Sequence, residues 1–381
     1  MSEKRTIFEE VTDAAQARAA APAGSLIDRR PKGARRAIRI WLMVLFALVV
    51  VMITVGGLTR LTDSGLSITE WRPLTGAVPP LSAADWQAEF EKYQQIPEFQ
   101  VQNAWMDLDD FKTIYWWEWG HRQIGRLIGL VWFLGFAGFL LARQIPAGWK
   151  GRLFWIGALG GLQGAVGWWM VSSGLTGHMM DVASYRLAVH LGLAFVILGF
   201  IAWYVFMLAS SERDLMQARR GREARLVGIA TGWLHLTFLQ ILIGAMVAGI
   251  DAGRSYTDWP LMGGAVIPVD AFVLSPWWAN LFENPGLVQF IHRVTGYLLL
   301  GFGIFAWRRG RKSANRRTQA AFNMAFAGLF LQVLLGILTV ITAAPWQIAI
   351  AHQFLAVVVW IMILRGRFLA QYPIATSIRG K

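Results

Sequence analysis

Six histidines and no cysteine set the metal and redox chemistry open to these 381 residues. Without Cys there is no disulfide, no thiolate ligand and no thiol nucleophile. Four of the histidines fall in matching places. His121-Arg122 is answered by His292-Arg293, and Val189-His190 by Ala351-His352. Four residues after each histidine stands a small side chain: Gly125, Ala194, Gly296 and Ala356. Residues four apart share a helix face, so each imidazole has clearance one turn below it. Imidazole suits iron, copper or zinc. A flat macrocycle needs that clearance and a bare ion does not, so two histidine pairs on facing helices point to haem. Small residues that let helices approach closely would give the same spacing.

The two pairs differ in one neighbour. Glu118 stands three residues before His121, whereas Gln289 stands three before His292. Spacing of i,i+3 puts each on its histidine's face. A carboxylate near the membrane is costly and usually handles protons; capping of the helix start is the alternative. The asymmetry suggests chemistry in the first half and a permanent cofactor in the second. Arg122 and Arg293 have two readings, pairing with carboxylates of a bound macrocycle or snorkelling to the interface; Arg60 and Arg126 are weaker candidates for the first. His178 reads as a solvated loop residue. His235 reads as hydrogen-bonded to a neighbouring helix, with ligation as the alternative.

The elements that must position these residues are membrane helices. Hydrophobic residues make up 55% of the chain and charged ones 15%, with a mean hydropathy of +0.44, a balance soluble domains rarely show. Apolar segments at 37–57, 118–142, 153–173, 185–209, 226–250, 286–307, 318–342 and 347–369 are of a length that crosses the hydrocarbon core. The expected class is therefore an all-α membrane protein of eight transmembrane helices in two pseudo-symmetric four-helix bundles. Basic clusters such as Lys32–Arg39, Arg219–Arg225 and Arg308–Lys312 fall in alternate connections. By the positive-inside rule both termini are cytoplasmic and the long 58–117 and 251–285 connections face out. The formal net charge of +13 is explained by those loops, with no nucleic-acid partner. Trp116-Trp117, Trp168-Trp169 and Trp277-Trp278 then fall at the outer interface, as an aromatic belt would.

The halves repeat. Gly56, Asp63-Ser64-Gly65 and Trp71 are matched by Gly244, Asp251-Ala252-Gly253 and Trp259 at one constant offset. Four helices return the chain to the same side, so the repeat is parallel and its equivalent sites lie side by side. The expected division is a cytoplasmic tail over 1–36, which lacks a signal-peptide pattern, a first half over 37–209, a linker over 210–225, a second half over 226–369 and a tail over 370–381.

The stretches GGLTRLTDSGLSITEW (56–71), EWGHRQIGRLIG (118–129), RLAVHLGLA (186–194), FIHRVTGYLL (290–299) and AHQFLA (351–356) resemble those of the haem A synthase family, in the branch found in mitochondria and proteobacteria. The resemblance covers about 37–369. It implies an inner-membrane oxidoreductase that converts the C8 methyl of haem O to the formyl group of haem A. It implies haem b as cofactor on His292 and His352, substrate haem on His121 and His190, and Glu118 as catalytic carboxylate. A ferredoxin-like or quinol electron donor, membrane lipid and the haem O synthase are the implied partners. Some members carry a Cys pair in the first outer loop, so here that loop must be ordered otherwise. Two rivals remain: a di-haem quinol-oxidising electron-transfer protein, and a haem transporter or chaperone.

Overall fold

The computed structural model describes residues 32–177 and 179–373. Most of both expected tails, and His178, lie outside the described residues. Eight long helices account for the rest of the architecture: α1 Lys32–Leu61, α2 Leu108–Leu141, α3 Lys150–Val171, α4 Ser184–Leu208, α5 Ala224–Gly249, α6 Pro285–Gly310, α7 Arg316–Ile341 and α8 Trp346–Gln371. Seven of them are long and apolar enough to cross a membrane, so this is a multi-pass membrane protein. The exception is α3, which carries six glycines, three tryptophans and Gln163 among its 22 residues; these lower its hydropathy without shortening it.

Helix α2 begins ten residues earlier than the apolar pattern suggests. Asp107 caps it, accepting from the backbone N–H of Asp109 and Asp110 at 2.8 and 3.0 Å, and Asp110 reaches back to the Asp107 N–H. Such a box contributes on the order of 0.5–2 kcal/mol. A helix of 34 residues is about 51 Å long at 1.5 Å per residue, against a hydrocarbon core of about 30 Å. Its first turns therefore project beyond the core, and Glu118 is no helix-start residue.

Packing follows the repeat. Helices α1–α4 close one ring by contacts α1–α2, α2–α3, α3–α4 and α4–α1; α5–α8 close a second in the same order. The rings meet where α1 and α4 pack on α8 and α5, with buried Phe195 of α4 edge-on to Trp360 of α8. Within this seam Gln353 Nε2, next to His352, donates to the Ile53 carbonyl of α1 at 2.7 Å. Close approach there needs Gly57, where a Cβ would lie 2.5 Å from the Gln353 amide.

The first outer connection is ordered without cysteine. The helix Ala83–Tyr93 packs with Phe90 and Tyr93 against Phe111 and Tyr115 of α2. Asn103 donates to the Tyr93 hydroxyl at 2.7 Å. Arg72 and Lys92 both pair with Glu89, at 3.2 and 2.9 Å. At the start of each outer connection, Asp63 and Asp251 adopt the same left-handed backbone, φ 47° and 50°, which Asp tolerates better than most residues. The repeat thus extends to backbone conformation.

Candidate functional site

Each of the four matched histidines lies on a long helix of one ring and faces a glycine of the preceding helix. A Cβ at Gly167, Gly244 or Gly336 would stand 2.9, 3.0 or 2.9 Å from Cε1 of His190, His292 or His352. At Gly56 it would stand 2.9 Å from Nε2 of His121. The rings can pack this closely only because those positions have no side chain. His121 lies within electrostatic reach of His190, and His292 of His352. The histidine nearest a helix start is still two turns in, and His121 is almost four turns into α2.

Three of the four are held by a glutamine one turn before the facing glycine. Gln163, Gln240 and Gln332 donate through Nε2 to the main-chain carbonyls of His190, His292 and His352 at 3.0, 2.9 and 2.9 Å. The same nitrogen stands 3.1–3.3 Å from both ring nitrogens. In each case Oε1 is buried with no partner among the described residues. These glutamines escaped the sequence reading, although Q-x-x-x-G recurs at 163–167, 240–244 and 332–336 and M-x-x-x-G stands at 52–56.

The residues fit a haem bound by two imidazoles. Among the described residues no group of three or more His, Asp or Glu side chains could hold a bare metal ion. Two imidazoles leave a divalent ion under-coordinated, whereas a macrocycle supplies the remaining ligands. The amide oxygens buried beside three of the imidazoles, without partner among the described residues, offer acceptor capacity of the kind a ligating imidazole's second N–H requires.

Glu118 is 2% exposed and Gln289 3%, and each is tied to its own outer connection. Glu118 accepts from Ser67 Oγ at 2.8 Å, the Ile68 N–H at 2.7 Å and Arg122 Nη2 at 2.5 Å. Gln289 instead donates to the carbonyls of Ala252 and Tyr256 at 2.9 and 3.1 Å, and accepts from Arg293 at 3.1 Å. The site beside His121 is thus built to receive a carboxylate, with two loop donors where the other half has two loop acceptors.

Arg122 and Arg293 clamp the outer connections. Arg122 donates to the carbonyls of Ile68 and Glu70 at 2.8 and 3.0 Å; Arg293 donates to those of Tyr256, Asp258 and Leu261 at 2.9, 2.9 and 3.0 Å. Arg126 likewise holds Arg72 and Pro73, with Nη1 left unpartnered. Arg60 pairs with Asp63, Asp181 and Asp251 at 2.6, 3.2 and 2.9 Å, tying the two connections together. His235 is exposed and bonds the Thr231 carbonyl of its own helix at 2.9 Å, rather than a neighbouring helix.

Beside this cluster Glu98 is buried, 2% exposed, with no partner for Oε2 among the described residues. Burial first, then the like charges of Asp181, Asp63 and Glu118, push its carboxyl up to about 9 against the opposing pull of Arg60. The unfolded chain releases this proton near its ordinary value of 4.5. Between the two values the folded state binds more protons, so this group makes stability fall as pH rises. Glu98→Gln is expected to raise the thermal midpoint in detergent at about pH 8 and to leave it unchanged at about pH 4. Equal shifts at both would contradict the assignment.

Comparisons with known proteins give the family. A family model described as "Cytochrome oxidase assembly protein" matches residues 39–364. Full-length relatives named "Heme A synthase" include those of Ruegeria pomeroyi, 71% identical over 100% of both chains, and Roseobacter denitrificans, 66% over 100% of both. That of Paracoccus denitrificans is 57% identical over 99% of each. With two matched histidine pairs, one buried carboxylate and a match that spans nearly all its helices, the chain belongs to the family of cytochrome oxidase assembly proteins.

Proposed function

We propose that this chain oxidises the C8 methyl group of haem O to a formyl group, making haem A for terminal oxidases. The observation that carries the proposal is Glu118: a buried carboxylate with dedicated loop donors, beside only one of two otherwise matched histidine pairs. Its relatives' shared name supports the same reading.

In this reading all eight helices cross the inner membrane, both termini are cytoplasmic, and each four-helix half is one haem unit. His121 and His190 hold the substrate by its iron, and the outer connection above Glu118 covers it. His292 and His352 hold haem b, which when bound is a one-electron carrier. Converting CH₃ to CHO removes two hydrogens and adds one oxygen, a four-electron oxidation. Taken as two hydroxylations, each uses one dioxygen as oxidant with two electrons from the donor and two protons, and releases one water; the second gives a geminal diol that loses a further water. Each hydroxylation consumes two protons, and Glu118 is the group placed to hold or pass one. Oε2 accepts from Ser67 and Ile68 and Oε1 from Arg122 alone, so one acceptor site on Oε1 is left to take up a proton. Arg122 and Arg293, fixed against their long connections, supply positive charge for haem propionates, and a ferredoxin-like or quinol donor supplies the two electrons each dioxygen takes beyond the two from the carbon.

Expression in a host that makes haem O but no haem A tests the proposal, by chromatography of the extracted haems. Haem A should appear. Two haem b per chain with haem O left untouched would favour a di-haem electron-transfer protein instead.

A further inference from the structure

Resting on the reading of the two histidine pairs as haem sites, we infer that Gln240 and Gln332 are positioning residues that lock both ligands of the resident haem. We infer also that Met52 is the substitution that leaves the first site unlocked so that its haem can leave. Counting one turn back from the glycine that faces each histidine gives Gln163, Gln240, Gln332 and, at Gly56, Met52. Met52 sits where Gln240 sits: a Cβ at Gly125 would meet Met52 Cε at 3.2 Å, and one at Gly296 would meet Gln240 Nε2 at 3.4 Å.

The consequence is visible in the rings. Where a glutamine is present, the imidazole turns Cε1 toward the facing glycine; His121, without one, turns Nε2. The glutamine amide ties the ring to its own main chain and leaves a buried oxygen free. Its nitrogen already stands 3.1 Å from Nδ1 of His292, so turning the amide over, in exchange for its bond to the His292 carbonyl, brings the oxygen within reach of an Nδ1–H. An acceptor there fixes the tautomer that presents Nε2 to iron and raises the basicity of the ligand. A thioether is a weak acceptor and can do neither well. Both ligands of the second site carry this support and only His190 of the first does, which suits a cofactor that stays and a substrate that is exchanged.

The test uses purified full-length protein and reads the haem directly. Gln240→Leu removes the acceptor and Gln240→Glu strengthens it. The midpoint potential of haem b is therefore expected to rise in the first and fall in the second, because a more basic imidazole favours the ferric state. Retention of haem b through purification should weaken by about 10–100-fold for Gln240→Leu, the usual cost of an outer-shell partner. Met52→Gln should raise the haem held by the first site and change its absorption spectrum, with haem b content unaltered. Potentials that move together in the Leu and Glu variants, or unchanged first-site occupancy in Met52→Gln, would overturn the inference. His292→Ala separates the two levels. If it keeps its haem b, the site reading itself fails; if it loses haem b while the glutamine variants are silent, only this inference fails.

Discussion

Glu118→Gln is expected to lower the rate of haem A formation by about 10²–10⁴-fold, the contribution typical of a positioned acid or base, while leaving haem b bound and spectrally normal. The second half shows that an amide fits this place, because Gln289 occupies it at 3% exposure. It does so by donating to the carbonyls of Ala252 and Tyr256. The first half offers donors instead, the Ile68 N–H and Ser67 Oγ on one oxygen and Arg122 on the other. An amide at position 118 can satisfy one side only and must turn its NH₂ toward a donor. Some loosening of the outer connection accompanies the chemical loss, since breaking a buried ion pair costs about 3–5 kcal/mol. Double replacement of Glu118 by Gln and of Ser67 by Ala would separate the effects: it relieves one mismatch without restoring a proton carrier. Recovery of haem A formation in that variant would assign Glu118 to loop anchoring, and continued inactivity with haem O accumulating would assign it to the reaction.

Much of this site is legible in the residues because membrane helices impose strong rules. Apolar runs locate the helices, and the offset between Asp63 and Asp251 reveals the repeat. A histidine or carboxylate within such a run stands out by cost alone. What the pattern misses is set by partners distant in sequence. The outer turns of α2, with Asp109, Asp110 and Lys112, do not read as apolar, and they are helical because of the Asp107 cap and the packing of Phe111 and Tyr115 on Phe90 and Tyr93. The directions of Arg122 and Arg293 depend on main-chain carbonyls of irregular connections, which have no side-chain signature. The glutamines were visible as polar residues in α3, α5 and α7, but their meaning depends on which histidine the neighbouring helix brings opposite. Helix α3 shows the converse, since its glycines lower the hydropathy by which a span is recognised and one of them makes room for His190.

Replacing either second-half histidine should remove haem b altogether, and replacing a facing glycine should do so in part. His352→Ala deletes a proposed ligand, with an expected effect larger than the about 10–100-fold that loss of an outer-shell partner costs. Gly336→Ala keeps the ligand but places a methyl 2.9 Å from its Cε1. A free side chain would swing aside. His352 has little freedom to do so, because the Gln332 amide holds its main-chain carbonyl at 2.9 Å and stands 3.3 Å from both ring nitrogens. The expected order of haem b per purified chain is therefore wild type, then Gly336→Ala, then His352→Ala, read from the pyridine haemochrome spectrum. Combining Gly336→Ala with Gln332→Ala supplies the control. With the clamp gone the ring can move, so the methyl should add little to the loss that Gln332→Ala causes alone. Strict additivity of the two changes would mean that glycine and glutamine act on the ligand independently.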